Sequence, residues 1–255
     1  IISLEAIKHN VATQISKLKD GQSLFAVVKA HAYAHGMIPV AKAAKEAGAN
    51  GFCVAIIDEG IALRESGIKD PILILGVNPV SEAVCMAKHD LSVAVGTLEF
   101  LTEAQKLLQE EKQRLKIHLA LDTGMGRIGL RFAEEILTLA QKIETLPNIV
   151  IEGIFTHMAT ADMADKTKAK EQIRMFKEML QLLENNGIYI PIRHCSNSAG
   201  IIDLKEANID MVRAGIALYG LYPSEEVNKE NVCLTPALEL KSIVSYLKTV
   251  PKGSP

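Results

Sequence analysis

A lysine stands in an otherwise apolar run near the start of the chain. Lys29 follows Phe25, Ala26, Val27 and Val28, a segment typical of a β-strand. Because side chains alternate along a strand, Lys29 is expected on the same face as Phe25 and Val27. A lysine on an apolar face is costly to bury unless its charge is paired or its pKa is lowered. Lys29 therefore either reaches water at the strand end or serves as a Schiff-base lysine that bonds to a carbonyl carbon.

A histidine pair follows this strand at a spacing that zinc sites also use. His31 and His35 are four residues apart. In the HExxH motif that spacing lies on a helix and includes a glutamate general base, and both features are missing here. We therefore predict no metal site.

A glycine-rich segment offers a second kind of chemistry. Residues 122–129 read DTGMGRIG and contain the pattern GxGxxG directly after a predicted strand, as in dinucleotide-binding loops. Asp122 would place an acid where a pyrophosphate has to bind, and the motif follows the fifth predicted strand rather than the first. Arg127, by contrast, is suited to binding an anionic group. A nicotinamide site on this loop remains a weaker alternative.

Small hydroxyl, amide and glycine residues cluster near the end of the chain. Residues 194–200 read HCSNSAG and residues 211–216 read MVRAGI, and each segment closes a predicted strand. In eight-stranded barrels the loops after the seventh and eighth strands often bind phosphate through backbone N–H groups. Ser198, Gly215 and Ile216 fit such a phosphate site, although a plain polar loop would look similar.

The elements that must position these residues alternate regularly. Short β-branched runs are separated by segments with helical periodicity, which indicates βαβ units and a parallel sheet. The number of units predicts a closed (β/α)8 TIM-type barrel, with an open doubly wound α/β sheet as the alternative. The eight predicted strands are Leu24–Ala30, Gly51–Ile56, Ile72–Leu75, Leu91–Val95, Lys116–Asp122, Ile149–His157, Ile192–Ser196 and Met211–Tyr219.

The alternation stops after Tyr219. A polar, turn-rich segment follows, and then β-like runs at 238–240 and 242–247 with no helix between them. We therefore expect a barrel domain over residues 1–228 and the start of an incomplete, β-rich C-terminal domain over residues 229–255. The chain begins without methionine, and we expect it to be part of a longer protein.

Composition excludes several classes of function. The 28 Lys and Arg residues nearly balance the 30 Asp and Glu residues, which gives no support for binding nucleic acid or a membrane surface. No apolar run approaches the length of about 18 residues that a spanning helix needs. The four cysteines lie far apart and no secretory leader is visible, so we expect a cytoplasmic location.

Taken together, these residues indicate a phosphorylated cofactor in the mouth of a barrel. Pyridoxal 5'-phosphate requires an amine that bonds to its aldehyde, a phosphate site, and groups beside its ring nitrogen and phenolic oxygen. Lys29, the segment around Ser198 and Gly215, and Arg127 could supply these parts.

Five segments, in order, resemble the signature sequences of the alanine racemase family over essentially the whole chain. Residues 26–36 read AVVKAHAYAHG, residues 122–129 read DTGMGRIG, and residues 155–162 read FTHMATAD. Residues 194–199 read HCSNSA and residues 213–220 read RAGIALYG. The resemblance implies an enzyme that uses pyridoxal phosphate to interconvert L- and D-alanine by two-base proton transfer. It also implies a supply of D-alanine for peptidoglycan and a homodimer.

The resemblance implies a role for each matching residue. Lys29 would hold the cofactor and act as one of the two bases, and Arg127 would contact the phenolic oxygen and orient the substrate carboxylate. His157 would lie against the cofactor ring, and Arg213 would face its nitrogen. The remaining cofactor-binding residues, most of them at the phosphate, would be Tyr33, Asn197, Ser198, Gly215 and Ile216.

The chain departs from the family pattern at several positions. His31 replaces the usual asparagine, Ala34 replaces a glycine, and Ala120 replaces a lysine that many members carbamylate to brace the neighbouring arginine. The resemblance also implies that the second base is a tyrosine located just beyond Pro255. We therefore expect a polypeptide ending at Pro255 to bind the cofactor but to racemise alanine slowly.

Two alternatives remain open beside the nicotinamide enzyme. One is a non-catalytic, barrel-only protein that binds pyridoxal phosphate, which would be complete at about this length. The other is a racemase that prefers serine, because much of the substrate pocket would come from the missing domain.

Overall fold

The computed structural model describes all 255 residues and contains one parallel sheet of eight strands. The strands are β1 (Ser23–Val27), β2 (Gly51–Val54), β3 (Ile72–Ile74), β4 (Ser92–Val95), β5 (Leu115–Ala120), β6 (Ile149–Phe155), β7 (Ile192–His194) and β8 (Met211–Ala214). The first strand pairs in parallel with the last, so the sheet curls round into the predicted (β/α)8 barrel. Only the junction of β7 and β8 lacks a regular ladder. Two backbone bonds bridge it, from Arg213 N to Ser196 O and from Asp210 N to Arg193 O, both at 3.1 Å.

Helices surround the barrel, and the longer ones bury an apolar stripe at helical spacing against it. In the longest, the buried positions include Ile173, Phe176, Leu180 and Leu183, which fall on one face. The helices are α1 (Leu4–Ile15), α2 (Lys29–Tyr33), α3 (Met37–Glu46), α4 (Ile57–Glu65), α5 (Ala83–Lys88), α6 (Leu98–Glu110), α7 (Ala133–Glu144), α8 (Thr167–Asn185) and α9 (Ser198–Asp203). None of them combines the length and the apolar character needed to cross a membrane.

The segment α2 is a turn of left-handed helix rather than the end of a strand. The strand expected to reach Ala30 ends at Val27, and Ala30 to Ala34 are five consecutive non-glycine residues with φ between 51° and 68°. Left-handed backbone costs an L-residue roughly 1–2 kcal/mol. Glu59 helps to hold the segment, because its carboxylate accepts hydrogen bonds from Ala30 N at 2.5 Å and from Ala55 N at 2.7 Å.

Replacing Ala34 by glycine is expected to stabilise the protein. Ala34 has φ 68° and is exposed, and glycine removes the steric penalty of that conformation. After the larger entropy of the unfolded glycine is subtracted, the gain should be about 0.5–1 kcal/mol. Urea unfolding measures this change in the free energy of unfolding. The matched control is Ala12→Gly in α1, an exposed position with ordinary helical backbone, which should lose about 0.5–1 kcal/mol instead. If both variants lost the same free energy of unfolding, the left-handed backbone assigned to Ala34 would be contradicted.

The strand predicted over Met211–Tyr219 is wrong in its second half. The strand ends at Ala214, and Ile216–Tyr219 forms a 3-10 turn. A short apolar run fits a buried strand and a buried helical turn equally well, so periodicity alone could not separate them. The turn leaves Tyr219 buried, and its hydroxyl donates to Val27 O at 2.8 Å at the end of β1.

The β-like runs predicted after residue 237 do not form strands. Leu238 makes one isolated antiparallel bridge with Ile2, and residues 239–255 have no regular structure. A strand is stable only with a paired neighbour and a covered face, and Leu240 and Ile243 are 92% and 89% exposed. The division of the chain at residues 228 and 229 therefore remains a prediction.

Candidate active site

A cavity of about 530 Å³ opens at the C-terminal ends of the barrel strands, where active sites of this architecture lie. Its volume is within the range of sites that hold a small ligand. All nine residues predicted to bind the cofactor or substrate line this one cavity. They are Lys29, Tyr33, Arg127, His157, Asn197, Ser198, Arg213, Gly215 and Ile216.

Lys29 is the only lysine that lines the cavity. It comes two residues after β1 ends and lines the cavity together with Val27, although it lies beyond the strand whose alternation was used to predict its face. The hydroxyl of Tyr219 holds the carbonyl of Val27 at 2.8 Å and so fixes the end of the strand. Lys29 is half-buried and has no carboxylate partner, so its amine is available to a ligand.

Backbone N–H groups converge where β7 and β8 end. The hydroxyl oxygen of Ser198 accepts hydrogen bonds from Gly215 N at 2.9 Å and from Ala217 N at 3.3 Å, which ties the two loops together. The backbone N–H groups of Ser198, Ala199 and Ile216 have no acceptor within the protein. Donors left unsatisfied beside a cavity are suited to an anion such as phosphate. The phenol of Tyr33 is close by, since a Cβ added to Gly215 would lie 3.6 Å from both Tyr33 Oη and Ser198 Oγ.

Arg213 is a buried cation with no carboxylate partner. The residue is 3% exposed, and its Nη2 donates to Thr156 O at 2.9 Å. Its Nη1 donates to His194 Nδ1 at 2.5 Å, and its guanidinium lies 5.4 Å from the ring centre of Phe155. Burial lowers the pKa of Arg213, but a guanidinium in a protein stays charged. Its Nε–H has no partner in the protein and is free to donate to a ligand.

His157 is held in the neutral state. Burial, and then the positive charges of Arg213, Arg127 and Lys29, lower the pKa of His157 to about 3. Nη2 of Arg213 lies 3.5 Å from His157 Nδ1, which can only accept from a guanidinium, so the proton of the imidazole is on Nε2. Near neutral pH this side chain is a polar wall of the cavity and not a cation.

The glycine-rich loop does not have the arrangement of a dinucleotide site. Asp122 Oδ1 accepts hydrogen bonds from Gly124 N at 3.0 Å and Gly126 N at 2.9 Å, so the loop's own acid occupies the donors that a pyrophosphate would need. Burial alone would raise the pKa of Asp122, but the backbone N–H groups of Gly126, Gly124 and Met125 outweigh it and lower the pKa. The loop instead presents Arg127, exposed and without an ion pair, at the cavity.

The position expected to brace Arg127 is apolar. Ala120 is 2% exposed and packs with Ala94 and Phe155, with Ile128 against them. No lysine or carboxylate reaches Arg127 from this cluster.

Sequence reasoning missed several residues that shape the site. Gln172 of α8 is 4% exposed and joins two active-site loops: its amide donates to Thr123 Oγ1 at 3.3 Å and to His157 O at 3.1 Å, and its oxygen accepts from Ala159 N at 2.9 Å. A glutamine on the apolar face of a predicted helix was the signal available for it. Phe155, at the end of β6, and Asp162 also line the cavity.

Comparisons with known proteins agree with this geometry. The family described as "Alanine racemase, N-terminal domain" matches residues 2–223. The alanine racemase of Ligilactobacillus salivarius is 66% identical over all 255 residues, which span 68% of that protein.

Solved structures show the same fold. An alanine racemase of Clostridium difficile 630 in complex with cycloserine superposes with a TM-score of 0.90 at 35% identity, over 92% of this chain and 65% of that one. The histidine racemase of Leuconostoc mesenteroides superposes with a TM-score of 0.84 at 28% identity, over 92% of this chain and 63% of that one. The chain thus spans about two thirds of the length of the relatives it matches. With the family match covering the whole barrel, this chain belongs to the alanine racemase family.

Proposed function

We propose that the protein interconverts L- and D-alanine with pyridoxal 5'-phosphate as cofactor and Lys29 as one of two bases. The observation that carries this proposal is the placement of Lys29. It is the single lysine in a cavity that is also lined by Tyr33, Ser198 and Arg213, within a chain of the alanine racemase family.

The cavity offers residues that suit two polar groups of the cofactor, the phosphate and the ring nitrogen. The unpaired N–H groups of Ser198, Ala199 and Ile216 would hold the phosphate together with the Tyr33 hydroxyl. Arg213, with a free donor and a fixed charge, would donate to the ring nitrogen. When bound, pyridoxal phosphate withdraws electrons from an attached amino acid and acidifies its Cα–H.

Each side chain then has a definite task in racemisation. Lys29 Nζ would remove or deliver the proton at one face of the substrate Cα. Arg127, unpaired at the cavity, would bind the substrate carboxylate. Neutral His157 would position groups beside the ring without adding a third charge to those of Arg213 and Arg127.

Racemisation also needs a group on the opposite face of Cα. This chain spans about two thirds of the curated relatives, and we include in the proposal that the second base comes from their remaining third, contributed across a homodimer. The proposal also places the reaction in the cytoplasm, in agreement with four free cysteines, and gives it the role of supplying D-alanine for peptidoglycan.

Ser198→Ala should weaken cofactor binding without unfolding the protein. The change removes the hydroxyl that joins the loops after β7 and β8, so the N–H groups of Gly215 and Ala217 lose their acceptor. The loops then hold their phosphate-binding N–H groups less firmly, and the phosphate loses the hydroxyl as a possible donor, which predicts a Kd for pyridoxal phosphate about 10- to 100-fold higher. Absorbance titration measures it. Ser196→Ala is the matched control, because that buried serine donates only to Asn197 O and does not line the cavity. An unchanged Kd in Ser198→Ala would place the phosphate elsewhere.

In the decisive experiment, the full-length protein is incubated separately with L-alanine, L-serine and L-histidine. Chiral chromatography then quantifies the D-enantiomer formed from each. Alanine should give the highest kcat/KM, and removal of the cofactor should abolish turnover. A preference for serine or histidine would overturn the substrate assignment. Binding of the cofactor with no turnover of any amino acid would favour the non-catalytic alternative.

A further inference from the structure

A column of polar side chains runs through the barrel interior from Arg213 away from the cavity. Arg213 Nη1 lies 2.5 Å from His194 Nδ1, and His194 Nε2 lies 2.8 Å from His118 Nδ1. His118 Nε2 lies 3.1 Å from Glu152 Oε2, which also accepts from Ser92 Oγ at 2.5 Å. His118, His194 and Arg213 are at most 3% exposed. Barrel interiors are usually filled by branched apolar residues, so this column requires an explanation.

The column has only one consistent proton arrangement. A guanidinium can only donate, so His194 Nδ1 must be an acceptor and the His194 proton must lie on Nε2. That proton is donated to His118 Nδ1, which places the proton of His118 on Nε2, and this one is donated to the carboxylate of Glu152. If either ring carried a second proton, an N–H of that ring would face another N–H donor, either across the contact between the two histidines or at Arg213.

The electrostatics agree with two neutral rings. Burial, and then the charge of Arg213 and the neighbouring ring, hold the pKa of His194 well below its ordinary value. Burial also lowers the pKa of His118, although Glu152 acts in the opposite direction. Around Glu152 the other charged groups are Lys116, whose Nζ lies 4.0 Å from Glu152 Oε1, and Asp90, which binds Lys116 at 2.7 Å.

The backbone is shaped to admit this column. The register between β5 and β6 shifts by one residue, so that Ile117 pairs with Ile151 and His118 with Gly153. The extra residue in the resulting bulge is Glu152, and bulges re-aim side chains in this way. A Cβ at Gly153 would lie 2.4 Å from His118 Nδ1, so glycine is needed there to leave room for the ring.

We propose that Glu152 is a remote positioning residue for Arg213. By accepting the proton of His118 it fixes the tautomers of both histidines, so that His194 presents a bare Nδ1 to Arg213 and holds the guanidinium in the orientation that the cofactor ring nitrogen requires. The importance of this orientation for catalysis rests on the proposed function. The tautomers of His118 and His194 are independent of that function.

The test reads the tautomers directly in the cofactor-free protein. Two-bond ¹H–¹⁵N NMR spectra of protein labelled with [¹⁵N]histidine distinguish Nδ1–H from Nε2–H rings, and His118→Phe assigns one resonance set. Both His118 and His194 should be neutral Nε2–H tautomers. An Nδ1–H form of His194 would overturn the proposal without touching the proposed function.

Two substitutions of Glu152 then separate positioning from packing. Glu152→Gln keeps an acceptor for His118 and should preserve both tautomers and the Kd for pyridoxal phosphate within about 2-fold. Glu152→Leu removes the acceptor at similar volume and leaves the Nε2–H of His118 without a partner. Both rings can then adopt the opposite tautomer, which turns the Nδ1–H of His194 toward Arg213 and displaces the guanidinium, so a fraction of Nδ1–H His194 should appear and the Kd should rise at least about 5-fold. If Glu152→Leu does not fold, His118→Phe breaks the same column and should raise the Kd similarly. A folded Glu152→Leu or His118→Phe variant with wild-type cofactor affinity would show that Glu152 does not act on Arg213.

Discussion

Lys29→Ala is expected to bind pyridoxal phosphate only reversibly and to lose nearly all racemase activity. Lys29 is the only amine in the cavity, so no other side chain can replace its bond to the cofactor or its proton transfer at Cα. Losing a positioned base typically costs about 10²–10⁴ in rate, and loss of the covalent attachment adds to that. Borohydride treatment followed by denaturation and mass spectrometry should find the cofactor mass on wild-type protein and none on the variant.

The control is an exposed lysine outside the site. Lys42 of α3 is exposed, and Lys42→Ala should retain both the borohydride-stable mass and full activity. Peptide mapping of the reduced wild-type protein should place the label on the peptide that contains Lys29. A label on any other lysine would refute the assignment of this residue.

Acidification is expected to destabilise the protein well before its carboxylates are protonated. Burial and neighbouring cations keep His118, His157 and His194 neutral in the folded state, with the pKa of His157 at about 3. In the unfolded chain each histidine takes up a proton near its ordinary pKa of about 6.5. The unfolded state therefore binds more protons as the pH falls below about 6.5, and stability falls with it. His157 and His194, whose pKa values in the folded state lie well below that, together remove about 3 kcal/mol between pH 7.5 and pH 5.5, and the lowered pKa of His118 adds to the loss.

That loss is a large fraction of the roughly 5–15 kcal/mol that stabilises a typical domain. Urea unfolding at pH 7.5, 6.5 and 5.5 measures it. His157→Gln should reduce this loss by about 1.4 kcal/mol, because one proton fewer is taken up on unfolding. His31→Asn is the control at an exposed histidine and should leave the slope unchanged. A stability that is flat between pH 7.5 and pH 5.5 would mean that the buried rings are already charged in the folded state.

Most of the barrel could be predicted from the sequence, because its strands are short apolar runs separated by amphipathic helices. Each of the eight predicted strands overlaps an observed one, and Lys29 lines the cavity together with Val27 although β1 ends before it. The convergence of Ser198 and Gly215 followed from the architecture alone, since the loops after the seventh and eighth strands meet at one end of the barrel. The individual binding roles stay predictions until a ligand is bound.

The errors arose where local pattern does not determine the backbone. The strand predicted to end at Ala30 stops at Val27, because the following residues adopt positive φ, which no alanine-rich sequence signals. The run over Met211–Tyr219 is apolar apart from Arg213 and Gly215, and a single glycine does not distinguish an irregularity within a strand from the end of the strand. The bulge that turns Glu152 inward could not be predicted either, since it depends on the register between β5 and β6.

The pairing of β1 with β8 has a consequence for how the chain folds. Ser23 pairs with Met211, so the contact that closes the barrel joins residues at nearly opposite ends of the domain. Closing so long a loop makes this contact slow to form, and it cannot form at all until β8 has left the ribosome. A nascent chain that has released only β1 to β7 carries unpaired β1 backbone along one edge, the kind of edge on which aggregation begins. Chaperone dependence during synthesis should therefore fall when Met211–Ala214 emerges, and it should persist in chains arrested before that point.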